Sequence, residues 1–272
     1  ALSVIEAELI RDINPGEIIR IDENGIKSHI FAKTDSHAHC SFEYTYFAHP
    51  SSHIEGKSVY AARKGVGRIL AEIYNVKGDV VIPVPDSARP AALGFSEATG
   101  IPLEEGLMKD RYGKRAGLRS FIQPEQKERI EINRRVIAVK ETVKDKEVIL
   151  VDDSIVRGTS SKMMIDVLKR SGAKKVKLLV TFPPLKYPCY AGIDFPTKEE
   201  LIVNNVDGIA KDIPTLNEKV RQYLDLDFVG YNTLEGLAKG IKMSQENLCV
   251  SCVTGDYTCL KKEPHYTSRM KK

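Results

Sequence analysis

Residues 148–161 read VILVDDSIVRGTSS, and few folds accept residues in that order. The apolar run fits a strand buried on both faces, as happens in a parallel sheet covered by helices. It ends in two adjacent aspartates, Asp152 and Asp153. A glycine and three hydroxyl residues follow and open a helical pattern. In parallel sheets ligands gather at the carboxyl ends of the strands. Adjacent carboxylates repel each other, so a cation, a set of sugar hydroxyls or both must offset them. The first N–H groups of the following helix lack intrahelical partners and attract an anion. Gly158 lets the backbone approach closely or adopt positive φ, and Thr159, Ser160 and Ser161 add hydroxyls. A phosphate on the helix start with ribose hydroxyls on the carboxylates fits this loop. The plainer reading is a capped helix with two solvated aspartates.

The rest of the chain repeats the alternation. Residues 1–30 read as short strands and a turn, with ENGI as a turn signal of the Asn-Gly type. Helical spacing runs through 57–75, with Val59, Val66, Ile69, Leu70 and Ile73 on one face. DVVIPVP (79–85) is a second doubly buried strand, with a helix expected from Arg89 to Thr99. IPLEEGLMK and RRVIAV are candidate strands flanking a basic segment. SKMMIDVLKRSGA reads as a helix with Met164, Val167 and Leu168 on one face and Gly172 as its stop. KVKLLVTF is a strand, and beyond Pro183 the chain reads as irregular, then mostly helical from 197. Alternating strands and helices predict an α/β fold with a mainly parallel sheet and right-handed crossovers.

The net charge of +4 is too small to argue for nucleic acid. No apolar run is long enough for a membrane helix and no signal peptide is visible, so the expectation is a cytoplasmic chain without membrane contact. There are five cysteines: Cys40, Cys189, Cys249, Cys252 and Cys259. An odd count in a chain without a secretion signal speaks against a disulfide framework. Cys249 and Cys252 form a C-x-x-C pair, ambiguous among metal site, redox pair and coincidence. Ser87, ending VIPVPDS, also falls at a strand's carboxyl end, or serves as an N-cap before Pro90.

VDDSIVRGTSS resembles the phosphoribosyl-pyrophosphate loop of type I phosphoribosyltransferases, and most closely that of the glutamine phosphoribosylpyrophosphate amidotransferases. The resemblance extends to VIPVPDSARPAALGFSEATGIP (a pyrophosphate loop and its helix), MKDRYGKRAGLRSFIQPEQ (a mobile catalytic loop, longer than usual here), YPCYAGID, CVSCVTGDY and HCSFEYTYFAHPSSHIEG, covering most of 37–258. It implies a type I phosphoribosyltransferase fold over 37–243, with a helical, cysteine-containing extension over 244–272. Residues 1–36 resemble the end of a glutaminase domain. Ala1 cannot act as that domain's cysteine nucleophile, so free ammonia is the expected nitrogen donor unless a glutaminase partner is supplied.

By this resemblance the reaction is phosphoribosyl transfer from 5-phosphoribosyl 1-pyrophosphate to ammonia, which opens purine synthesis. Asp152, Asp153, Ser154, Arg157, Gly158, Thr159, Ser160, Ser161 and Ser87 are implied to bind substrate, and Ser87, Asp152 and Asp153 to surround Mg²⁺. Lys109 and Arg111 are implied to be catalytic, within a basic lid over 110–122 that also carries Lys114, Arg115 and Arg119. Tyr46 is the position matching an aromatic that lines the ammonia passage. Cys40, Cys189, Cys249 and Cys252 match the ligands of a [4Fe–4S] cluster, leaving Cys259 free; zinc or four unconnected buried thiols are the alternatives. Purine nucleotides as inhibitors and a homo-oligomer are also implied. Two other functions compete. A regulator that only binds phosphoribosyl pyrophosphate would need a DNA-binding segment, and a nucleobase phosphoribosyltransferase would need a base-binding hood. The sequence shows neither.

Overall fold

The structure, a computed structural model, describes residues 5–33, 37–109, 136–193, 197–206 and 212–258. A hairpin comes first, β1 (Glu17–Asp22) against β2 (Gly25–Ile30). Asp22 pairs directly with Gly25, so Glu23 and Asn24 form the turn and Gly25 alone takes the positive φ. Next come β3 (His39–Cys40), a wide π-type turn over Glu43–Phe47, and the short pair β4 (His53–Ile54) and β5 (Lys57–Ser58). Ser58 caps α1 (Val59–Ile73) by accepting from the Ala61 N–H at 3.2 Å. Then follow β6 (Val80–Pro83), α2 (Arg89–Thr99), the antiparallel pair β7 (Leu107–Lys109) and β8 (Val136–Ala138), α3 (Lys140–Val143) and β9 (Glu147–Asp152). The chain continues through α4 (Thr159–Arg170), β10 (Lys175–Val180), α5 (Ile202–Asn205), α6 (Ile213–Leu224) and β11 (Phe228–Tyr231). It closes with α7 (Leu234–Ile241), β12 (Leu248–Cys249) and α8 (Ser251–Thr254).

The central sheet is parallel, in the order β11-β10-β9-β6. Its strands are buried on both faces because alternate residues serve two cores. Val80, Ile82, Val148, Leu150, Val176 and Leu178 meet Met164, Ile165 and Leu168 of α4 and Leu216, Val220 and Leu224 of α6. Val81, Ile149, Val151 and Leu179 meet Leu70, Ala91 and Phe95 of α1 and α2. Two glycines set the distance between α1 and α2. A Cβ on Gly67 would lie 1.9 Å from the Ala91 carbonyl oxygen, and one on Gly94 would lie 2.0 Å from that of Lys64.

Three expectations change. The buried face of α4 runs through Met164, Ile165 and Leu168, with Val167 only half-buried, because the helix phase places Ile165 on the sheet. FVGY within the region read as helical is the strand β11, paired with β10. It was hidden because four residues containing a glycine carry no distinct period, and only the neighbouring strand selects the extended form. Finally, the plainer reading of two solvated aspartates does not hold. β9 is an interior strand, and each aspartate is only 5% exposed.

Candidate active site

The site forms where β9 and β6 end. The Val84 N–H donates to the Val151 carbonyl at 2.8 Å, keeping the two exits side by side. The loop after β6 thereby brings Ser87 to the aspartates, and its hydroxyl donates to Asp153 Oδ2. Ser87 is not the cap of α2, since the residue at that position is Ala88 and no side chain caps the helix. Ser154 donates its hydroxyl to Asp153 Oδ1 at 2.9 Å, and the Asp153 N–H donates to Asp152 Oδ1 at 2.8 Å. From β10's end, the N–H groups of Thr181 and Phe182 donate to the carbonyls of Asp152 and Asp153 at 2.9 and 2.8 Å. The carboxylate pair is thus fixed through both its side chains and its backbone.

Burial governs the electrostatics. Asp152 is raised well above the ordinary carboxylate range, first by burial and then by the charge of Asp153, against the Asp153 N–H and the Ser161 hydroxyl. Burial also raises Asp153, while Ser87, Ser154 and the charge of Arg63 pull it down. The pair therefore resists carrying two negative charges without a cation. Nearby Tyr231 is fully buried, and its hydroxyl finds no partner among the described residues.

The loop then turns into α4 at Gly158, whose φ is +79°. A Cβ there would also lie 2.6 Å from Ile202 Cδ1, so glycine is needed for both conformation and space. Thr159 and Ser160 stand at the helix start, half-buried. Ser161 is buried and hydrogen-bonds Asp152, so it supports the carboxylate from inside. Arg157 is held by Glu200 at 2.6 Å. A cavity of about 390 Å³ opens behind the loop, between the outer face of α4 and Tyr223, and the aspartates do not line it.

Lys109, ending β7, reaches Asp86 Oδ2 at 3.1 Å, which puts a cation beside the Ser87 loop. Arg111 and the rest of the expected lid lie outside the described residues. Tyr46 is half-buried and lies against Phe42, with ring centroids 5.5 Å apart. Sequence reading missed Arg63, Asp86 and Arg89. Asp86 pairs with Lys109 and, at 3.5 Å, with Arg89, whose Nε is buried without a partner among the described residues. Their only sequence signal was position next to a singled-out serine, and Arg63 had none.

The four expected cluster cysteines occupy one neighbourhood. β12 pairs with β3 so that Cys249 faces Cys40. The Lys186 and Tyr187 N–H groups donate to the Cys252 carbonyl at 2.9 and 3.0 Å, drawing in the segment that carries Cys189. Cys252 is raised by burial and by the charges of Cys40, Cys189 and Cys249, and Cys40 is pushed up to about 11, chiefly by burial. Among the described residues no group of three or more His, Cys, Asp or Glu side chains is placed to hold a metal ion. Cys259 lies outside the described residues. No helix among the described residues is long and apolar enough to cross a membrane.

The model of the phosphoribosyl transferase domain matches residues 56–218. Curated relatives include the amidophosphoribosyltransferase of Methanocaldococcus jannaschii, 43% identical over 94% of this chain and 55% of the relative. That of Bacillus subtilis is 41% identical over 94% of this chain and 52% of the relative. Among solved structures, the glutamine phosphoribosylpyrophosphate amidotransferase of B. subtilis complexed with ADP and GMP superimposes with a TM-score of 0.79, at 39% identity, over 94% of this chain and 55% of that one. The chain thus spans about half the length of the curated relatives it matches. With the buried aspartate pair, the Gly158 turn and the parallel sheet all in place, the chain belongs to the phosphoribosyl transferase domain family, and within it is similar to the amidophosphoribosyltransferases.

Proposed function

We propose that this chain transfers the phosphoribosyl group of 5-phosphoribosyl 1-pyrophosphate to ammonia, giving 5-phosphoribosylamine and pyrophosphate, the first step of purine synthesis. The observation that carries this reading is the buried Asp152–Asp153 pair, in which Asp153 accepts from Ser87 of the neighbouring strand's loop, with the Gly158 helix start a few residues on. The pair suits ribose hydroxyls, and the N–H groups at the start of α4, with Ser154, Thr159 and Ser160, suit the 5-phosphate. Arg157 joins them on leaving Glu200. Two buried carboxylates with raised proton affinity also fit a divalent cation, so Ser87, Asp152 and Asp153 would hold Mg²⁺. Bound there, Mg²⁺ would neutralise the departing pyrophosphate. Lys109 places positive charge beside the Ser87 loop, Arg111 is the second catalytic residue of this reading, and Tyr46 lines the nucleophile's approach.

The cysteine neighbourhood fits a [4Fe–4S] cluster on Cys40, Cys189, Cys249 and Cys252. Four thiols brought together from three chain segments are the number of ligands such a cluster takes. Its role is structural, tying the extension over 244–272 to the start of the transferase domain over 37–243. Residues 1–36 belong to a glutaminase domain. Its hairpin exposes Ile18, Ile21, Ile26 and Ile30, an apolar surface that suits further packing. Purine nucleotides are the proposed inhibitors, the functional form is a homo-oligomer, and the site of action is the cytoplasm.

The test is pyrophosphate release by the pure chain with phosphoribosyl pyrophosphate, Mg²⁺ and ammonium salt. Turnover should rise with pH as ammonium gives up its proton, because only ammonia has a lone pair to attack carbon. Absence of ammonia-dependent release from folded protein would overturn the proposal.

A further inference from the structure

Arg63 is 2% exposed, on the inner face of α1. A guanidinium is rarely so buried unless its donors and charge are both answered. Its Nε donates to the Tyr44 carbonyl at 2.9 Å and its Nη2 to the Ala48 carbonyl at 2.7 Å. One carbonyl belongs to the wide turn Glu43–Phe47 and the other to Ala48, the residue that caps it, whose N–H donates to Glu43. A rigid fork of donors bridging the turn and its cap holds the two in one geometry. The turn carries Tyr46. Tyr46 packs on Phe42, and Phe42 meets Phe182 edge-on with centroids 5.2 Å apart. The Phe182 N–H in turn donates to the Asp153 carbonyl at 2.8 Å. Arg63 is also near enough to Asp153 for its charge to act on that carboxylate.

We infer that Arg63 is a positioning residue for nucleophile choice: it locks the Tyr46 turn in register with Asp153, so that ammonia and not water meets the reacting carbon. The inference rests on the proposed phosphoribosyl transfer. In either outcome the bond from C1 to the pyrophosphate oxygen breaks and the electron pair leaves with pyrophosphate. A C1–N bond forms with ammonia, or a C1–O bond with water to give ribose 5-phosphate, and the nucleophile loses a proton to solvent. A loosened turn admits water to the same carbon.

The experiment measures pyrophosphate release by the wild-type chain, Arg63→Lys and Tyr46→Leu, each with and without ammonium at saturating phosphoribosyl pyrophosphate. The ratio of water-driven to ammonia-driven release is independent of how much protein is folded. Lysine keeps the charge but cannot span both carbonyls, so Arg63→Lys should raise that ratio by about tenfold, with KM for phosphoribosyl pyrophosphate little changed. Tyr46→Leu should raise it similarly, and the double variant no further than the larger single effect. Rates that fall in parallel, leaving the ratio unchanged, would reduce Arg63 to a structural residue and overturn the inference. If Arg63→Lys cannot be isolated folded, Tyr46→Leu decides: an unchanged ratio there overturns the inference as well. No ammonia-driven release by the wild-type chain would instead sink the proposed function itself.

Discussion

Replacing Asp153 by asparagine should stabilise the metal-free fold while removing activity. Burial raises this carboxyl from an ordinary 3.8 to about 6. A carboxyl raised in the folded state stabilises when protonated. That contribution is fully present below 3.8 and is lost as pH rises through about 6. Above neutrality the native chain therefore carries a charge costing about 3 kcal/mol relative to its neutral form. Asparagine has the same shape and no charge; its one oxygen still accepts from Ser87 or Ser154, and the other hydroxyl turns to accept from the amide NH2. In chelator near pH 8, Asp153→Asn should raise Tm by roughly 5–10 °C. Near pH 5 the gain should shrink to about half, because the wild-type group is then largely protonated in the native state. Added Mg²⁺ should raise the Tm of the wild-type chain and leave the variant nearly unmoved. Calorimetry at the two pH values, beside pyrophosphate release, checks each part. A gain independent of pH, or a variant less stable than wild type near pH 8, would refute the reasoning.

Gly67→Ala should destabilise the chain by more than about 3 kcal/mol, since the methyl meets the Ala91 carbonyl, which cannot retreat without parting α1 from α2; the urea midpoint reports it. Lys109→Ala should change stability by less than about 0.5 kcal/mol, because its pair with Asp86 is exposed. It should nonetheless slow transfer by about a hundredfold through loss of charge at the leaving group, and an unchanged kcat would remove Lys109 from the site. Protein purified without oxygen should contain iron and acid-labile sulfide in equal amounts. Cys249→Ser should lose both and Cys259→Ser neither, whereas zinc without sulfide would replace the cluster.

Much of the site was legible before any coordinates. A doubly apolar strand has few partners other than a parallel sheet, and the Asp-Asp, Gly and hydroxyl order marks where that strand stops and the next helix begins. Those are local facts, set by side-chain polarity and by glycine's access to positive φ, which Gly158 uses. What sequence could not reveal depends on neighbours far along the chain. Whether the aspartates face water turned on β9 being an interior strand. The partner of Ser87 turned on β6 and β9 ending side by side. FVGY became a strand because β10 offered it an edge. Arg63 looked like one more helix cation, and only the packing of α1 against the Tyr46 turn buried it beside Asp153. Burial and opposition across the sheet are set by the whole fold, so the sequence by itself determined which groups are candidates for the chemistry, and the tertiary structure decided how strongly each is charged and which groups hold it in place.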